Sequence, residues 1–152
     1  MSQPVDAARL KPGTYPHHYV YRTMYSDMDG FRHLNNGVAA RLFEEGRASM
    51  NMDIFGTDVL VNPRAGLQLL VARVAIDSLR QAKYPGDVEI ATGVSRIGRS
   101  SWTVVQAAFQ DNHCFAIGET VTVKAAAGRA TALDPAERER FEAYMLRSSD
   151  GA

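Results

Sequence analysis

Between Tyr25 and Asn36 the sequence reads Tyr-Ser-Asp-Met-Asp-Gly-Phe-Arg-His-Leu-Asn-Asn, so two carboxylates, an imidazole and two carboxamides fall just ahead of a change in hydrophobic period. Carboxylates and imidazoles are the side chains that act as nucleophiles and general bases. Taken alone, Ser-Asp-Met-Asp-Gly is a turn-forming run, and either Asn35 or Asn36 suits the cap of a following helix. No nucleophile near His33 in sequence demands a histidine base, so His33 reads as a residue that fixes the loop. Glu44 and Glu45 offer a second acidic pair, for which helical spacing predicts solvated pairing of Arg41 with Glu45 and of Glu44 with Arg47. Cys114, the one cysteine, cannot make an intramolecular disulfide and reads as a small, partly buried residue rather than a nucleophile. The histidines have no second thiol and no ligand spacing, so no metal site is expected. His17 and His18 open a strand and His113 sits on a hairpin, which gives them surface polar roles.

These groups need elements to hold them. Tyr19 to Tyr25 reads as a first strand ending at the turn, with Phe31 to Asn35 as a polar loop. From Asn36, the residues Ala39, Leu42, Phe43, Gly46, Met50 and Ile54 recur at helical spacing, and Arg41, Glu44, Glu45 and Arg47 take the other face. One amphipathic helix ending near Gly56 follows. Gly46 costs it propensity, which points to close packing on a sheet. After a loop containing Pro63 and Gly66 the period falls to two. Strands are expected over Leu70–Asp77, Val88–Ser95, Trp102–Gln110 and Cys114–Ala125, with a type II turn at Tyr84-Pro85-Gly86-Asp87 and a hairpin tip at Asp111–Asn112. Leu133-Asp134-Pro135-Ala136-Glu137 reads as a capped start of a short helix around Phe141. The order predicts an α+β fold in which a long central helix is wrapped by an antiparallel sheet of about five strands. Residues 1–16, rich in proline, read as an N-terminal arm on the surface or on a neighbouring subunit, residues 17–146 as a single domain and residues 147–152 as a tail.

The 152 residues suit one domain, which leaves no room for a second catalytic one. With 17 Lys plus Arg against 17 Asp plus Glu, there is no global attraction to phosphate backbones, and nucleic acid is excluded as a partner. No basic leader followed by an apolar run opens the chain, and no stretch is apolar enough to span a bilayer. A soluble, cytoplasmic protein without membrane contact is expected.

The same residues resemble the signature of the 4-hydroxybenzoyl-CoA thioesterase family of hotdog-fold enzymes. That signature is an Asp-x-Asp pair, then His-(Val/Leu)-Asn-Asn four residues on, then a helix with Phe-Glu-Glu-x-Arg. Here these are Asp27-Met-Asp29, His33-Leu-Asn-Asn36 and Phe43-Glu-Glu-Gly-Arg47. Arg73 to Asp77, Tyr84 with Gly86-Asp87, Arg96 to Ser101 and Gly118 to Val121 look like further signatures of that family. The resemblance implies a hotdog domain and a thioesterase that hydrolyses an acyl thioester of coenzyme A or acyl carrier protein. It implies Asp29 as the catalytic carboxylate, acting as nucleophile or as general base, and the backbone NH of Asn36 as the oxyanion donor. His33 is a supporting residue, and Arg96, Arg99 and Ser100 lie at the strand junction used near the nucleotide end of coenzyme A. Lys124 and Arg129 are further basic candidates. No cofactor is implied beyond the coenzyme A of the substrate. The resemblance also implies a second copy of the chain as partner, in a homodimer or a tetramer of two dimers, with the site at the subunit interface.

Two departures from the pattern bear on acyl preference: Ala39 and Ala40 replace a Tyr and a larger aliphatic residue, and Pro85 is inserted into the Tyr-Gly-Asp turn. Other hotdog thioesterases place their carboxylate on the helix, which keeps Glu44 and Glu45 as an alternative to Asp29. Two rival functions fit the same fold. A hydratase or dehydratase of acyl-CoA would want a histidine on the helix, and this helix has none. A non-catalytic acyl-CoA-binding protein would not need Asp29.

Overall fold

The computed structural model describes residues 4–62 and 66–148. In chain order the elements are β1 (His17–Arg22), α1 (Asn36–Phe55), α2 (Thr57–Val61), β2 (Leu67–Ser78), β3 (Asp87–Ile97), β4 (Ser101–Gln110), β5 (His113–Ala126), β6 (Arg129–Ala130) and α3 (Pro135–Glu142). The sheet is antiparallel throughout its main path, ordered β1-β3-β4-β5-β2, with β6 paired to β5. This is the expected hotdog arrangement of one long helix against one curled sheet. No helix among the described residues is long and apolar enough to cross a membrane.

The six α1 residues predicted to face inward are all buried. Gly46 sits where a Cβ would come within 2.8 Å of Ile90 Cγ2 and 3.0 Å of Gln106 Nε2, so its lost helix propensity is the condition for helix and sheet to touch. Leu42, Phe43, Val88, Ile90 and Ala108 form the core beneath the helix, and Met50, Ile54, Trp102 and Phe141 continue it toward α3. The other sheet face is covered by the chain's own ends. Tyr15 is fully buried against Ala91, Ala107 and Phe109, with Val5 and Leu146 alongside, so residues 4–16 pack on their own sheet. Arg147 is tied in as well, its NH donating to Thr14 O at 2.9 Å. Residues 1–3 and 149–152 of the expected arm and tail lie outside the described residues, as does Pro63 of the loop before β2.

Several local expectations hold. Asp111 and Asn112 both take positive φ (51° and 62°) at the β4–β5 tip. The α3 capping box forms, with Glu137 NH donating to Asp134 Oδ1 at 2.7 Å and Asp134 NH donating to Glu137 Oε2 at 3.0 Å.

Others are corrected. The first strand runs His17–Arg22 rather than Tyr19–Tyr25, because its ladder with β3 ends at Arg22 opposite Asp87 and the chain then turns through a 3-10 helix, Tyr25–Asp27. The turn at Pro85-Gly86 is not type II, since Gly86 lacks the positive φ that type requires. Instead Thr23 holds Gly86 from both sides, its hydroxyl donating to Gly86 O at 2.7 Å and accepting from Gly86 NH at 3.0 Å. The interval after Gly56 contains the short helix α2, where the sequence reads as loop.

Candidate active site

The segment between β1 and α1 is knotted around its two aspartates. Asp27 is buried and does more than form a turn. Its Oδ2 accepts from Tyr21 OH at 2.9 Å and Met24 NH at 2.8 Å, its Oδ1 accepts from Arg41 at 2.8 Å, and its carbonyl accepts from Asn35 NH at 2.8 Å. Arg41 therefore pairs with Asp27 rather than with Glu45. Arg47 also departs from the expected solvent-face pairing with Glu44. It turns inward to Gln106 Oε1 and Thr120 Oγ1, both at 3.2 Å, and burial lowers its pKa. Glu44 and Glu45 remain exposed, and neither lines the cavity described next.

Asp29 faces the opposite way, into a cavity of about 230 Å³ in front of the helix start. Its NH donates to His33 O at 2.9 Å, which closes the loop. Oδ1 accepts from Phe31 NH at 2.9 Å, with a longer 3.5 Å contact from His33 NH. Oδ2 has no hydrogen bond among the described residues. His33 thus steadies the loop through its backbone. Its ring lines the cavity, and Nδ1 is buried without a partner, so the ring does not orient Asp29.

The helix start supplies donors. Asn35, not Asn36, is the cap: its Oδ1 accepts from Gly37 NH at 2.9 Å, while its carbonyl accepts from Val38 NH at 2.9 Å. The NH of Asn36 precedes the first intrahelical bond and has no such partner. Asn36, Asp29 and His33 line the same cavity. An acid with a free oxygen and an unpaired NH at the positive end of a 20-residue helix can act together on one carbonyl, the acid at carbon and the NH at the oxygen that gains charge.

The far wall of the cavity went unread in the sequence. Ser78, Arg80, Ala82, Phe115 and Ala116 form it, with Ala39 lining the helix side. The stretch after β2 carried no motif; only its attachment reveals it, with Leu34 NH donating to Ala82 O at 2.9 Å. Ala40 is exposed and does not line the cavity.

Arg96, Arg99 and Ser100 are not brought to this cavity within one protomer. Ser101 is paired with Val123, seven residues along β5 from the cavity residue Ala116, or about 23 Å at strand rise. The turn is braced there by Lys124 NH to Ser100 O (2.8 Å) and Leu133 NH to Arg99 O (2.9 Å), with the Arg96 and Arg99 side chains exposed. Lys124 is spoken for: it is buried, and its ammonium binds Glu137 at 2.7 Å. Arg129 is exposed on β6. Cys114 is buried, and burial pushes its thiol pKa up, which disfavours a nucleophilic role. His18 and His17 are both engaged. His18 Nδ1 lies 2.6 Å from Glu89, and His17 packs against Ser49 (3.2 Å) with Asp53 at 3.9 Å. His113 is exposed on the hairpin, as expected.

Among solved structures, the chain is similar to a predicted thioesterase from Bacillus stearothermophilus, with 25% identity, a TM-score of 0.79, and coverage of 88% of this chain and 98% of that one. It is also similar to a thioesterase from Thermus thermophilus complexed with coenzyme A and Zn, with 25% identity, a TM-score of 0.76, and coverage of 86% and 95%. A 1,4-dihydroxy-2-naphthoyl-CoA thioesterase from Synechocystis shares the fold at 12% identity and a TM-score of 0.73, over 82% of this chain and 94% of that one. No curated protein matches the sequence. The match to the thioesterase-like superfamily runs over residues 24–141, taking in Asp29, the loop, α1 and every long strand, and on that ground the chain belongs to this superfamily of thioester hydrolases.

Proposed function

We propose that the chain hydrolyses an acyl thioester of coenzyme A or of acyl carrier protein in the cavity between the 29–36 loop and the 78–82 wall. Asp29 Oδ2 attacks the thioester carbonyl, so that the C–S bond breaks, the thiol leaves and water then opens the resulting anhydride, or it takes the proton of an attacking water and passes it to the departing thiolate. In either case the Asn36 NH holds the oxyanion. The observation that carries this reading is the pairing of a free carboxylate oxygen with an unpaired helix NH on one cavity. The coenzyme A complex of the Thermus thermophilus relative supports coenzyme A as the carrier. Arg96, Arg99 and Ser100 join the site from a second copy of the chain and meet the nucleotide end. Their distance from Asp29 within one protomer fits that assignment.

A thiol-release screen of acyl-CoA esters over chain length and aromatic acyl groups tests it. Turnover of at least one ester, with loss in Asp29→Asn, is expected. Binding of acyl-CoA without turnover of any ester would instead establish the non-catalytic alternative.

A further inference from the structure

The Asp29 cavity does not end at its own rim. Arg80 lines it and also lines two shallow grooves that run over the tip of the β4–β5 hairpin, one bounded by Lys83 and Asp111, the other by Asn112 and His113. The backbone carrying Arg80 and Lys83 is fastened to that hairpin. The NH groups of Leu79 and Arg80 both donate to Phe115 O, at 2.8 and 3.2 Å. Lys83 NH donates to Gln110 Oε1 at 2.8 Å, and Gln110 Nε2 donates to Lys83 O at 2.7 Å.

The side chains are in the opposite condition. Among the described residues neither the Arg80 guanidinium nor the Lys83 ammonium has a hydrogen bond or an ion pair. Two cations on a pinned backbone thus overlook one groove whose single carboxylate is the exposed Asp111. A planar guanidinium beside a point-charge ammonium suits a phosphate, which accepts from both.

We propose that Arg80 and Lys83 bind the phosphate of a 4′-phosphopantetheine arm, the group that coenzyme A and acyl carrier protein share, while its thioester lies in the Asp29 cavity. This rests on the thioesterase reading above. His113, which lines both grooves, is three residues along β5 from Ala116, about 10 Å, so the grooves carry the path outward from the cavity in the direction a pantetheine arm would follow. The Arg96–Ser100 turn lies in the other direction along β5, so the phosphate next to pantetheine is held within the protomer that supplies Asp29.

The test compares one acyl group on four carriers: pantetheine, 4′-phosphopantetheine, coenzyme A and acyl carrier protein. In the Arg80→Ala/Lys83→Ala double variant, the ratio of kcat/KM for the phosphopantetheine ester over the pantetheine ester should fall roughly tenfold per cation removed. The coenzyme A and carrier-protein esters should fall with it, and Arg80→Lys should restore part of the ratio. Arg99→Ala should instead lower only the coenzyme A ester relative to the phosphopantetheine ester. A double variant that melts like the parent and keeps the parental phosphopantetheine-to-pantetheine ratio overturns the proposal, as does a loss confined to coenzyme A. Calorimetry with free 4′-phosphopantetheine separates this site from the hydrolase reading. Binding lost in the double variant, with no thioester turned over by the parent, keeps the phosphate site and removes the hydrolase. Hydrolysis with no binding defect removes the phosphate site alone.

Discussion

Asp29 and Asp27 stand two residues apart and do unlike work, because only one of them is saturated. The Asp27 carboxylate accepts three hydrogen bonds from side chains and backbone and holds the loop to β1 and α1, whereas Asp29 keeps Oδ2 open to the cavity. Replacing Asp29 with Asn preserves shape and removes the charge, so turnover should fall by ~10² to 10⁴ at unchanged melting temperature, the usual scale for losing a general base. Glu45→Gln, exposed and off the cavity, should leave turnover near the parental value in the same thiol-release assay. The proposed role of Asp29 rather than Asp27 could be read in the sequence only through the family pattern, since both are equally good turn formers. Arg80 could not be read at all, because the register of β2 against β5 brings it to the cavity and no local spacing encodes that. His17 is a residue-scale determinant of another kind. Its side chain is 11% exposed, and burial lowers its pKa against the smaller opposing pull of Asp53. The folded protein therefore holds it neutral where the unfolded chain already takes up a proton. Its contribution to stability should be complete above about pH 6.5 and decline as pH falls through the lower folded value. Melting curves of the parent and His17→Gln should run parallel above neutrality. Below it the parent should lose more, and parallel curves down to pH 5 would refute the assignment.

At the scale of elements, the N-terminus of α1 decides whether the helix is machinery or scaffold. Asn36→Ala retains the backbone NH, and because Asn35 is the cap, the side chain lost is an exposed one; little change in either stability or turnover is expected. Asn35→Ala removes the cap and should cost ~1 kcal/mol of stability. Asn36→Pro removes the NH itself at a position where proline suits a helix. A residue before proline must be extended, and Asn35 already is, at φ −58° and ψ 139°, so the 29–35 loop can keep its place. Turnover in Asn36→Pro should drop by ~10² to 10³, the scale for one oxyanion donor, with the melting temperature near parental. A folded Asn36→Pro protein as active as Asn36→Ala would locate the oxyanion donor elsewhere. The helix was legible from its period, and the α3 cap and the Asp111–Asn112 tip from their residues, because each is a local rule with a local partner. The inward turn of Arg47 and the Arg41–Asp27 pair were not. Helical spacing offered both arginines acidic neighbours, and contacts 14 residues away for Arg41 and more than 50 away for Arg47 won instead.

For the whole molecule the question is what covers β2. It is the sheet edge beyond β5, and α1 packs chiefly on β1, β3 and β4. Leu70, Val71 and Val74 are each about half exposed, at 48%, 52% and 48%, so the strict alternation expected for this strand is not realised in one chain. A twelve-residue edge strand with three exposed aliphatic side chains is a pairing surface that a monomer would have to blunt. The opposite edge, β1, is half as long, and its one large exposed aliphatic residue is Val20. We therefore expect two copies to meet along β2, which would make the two sheets continuous and bring a second copy's Arg96–Ser100 turn into play. Val71→Lys sets a charge on each copy at that seam, where like charges repel. It should shift the protein from dimer to monomer in light scattering at micromolar concentration, while Val20→Lys, on the other edge, should leave the mass unchanged. A monomeric Val71→Lys protein should keep its turnover of acyl-pantetheine better than that of acyl-CoA if, as proposed, the second copy supplies the contacts to the nucleotide end. If Val20→Lys dissociates the protein and Val71→Lys does not, the subunits meet along β1, and the exposed face of β2 needs another occupant.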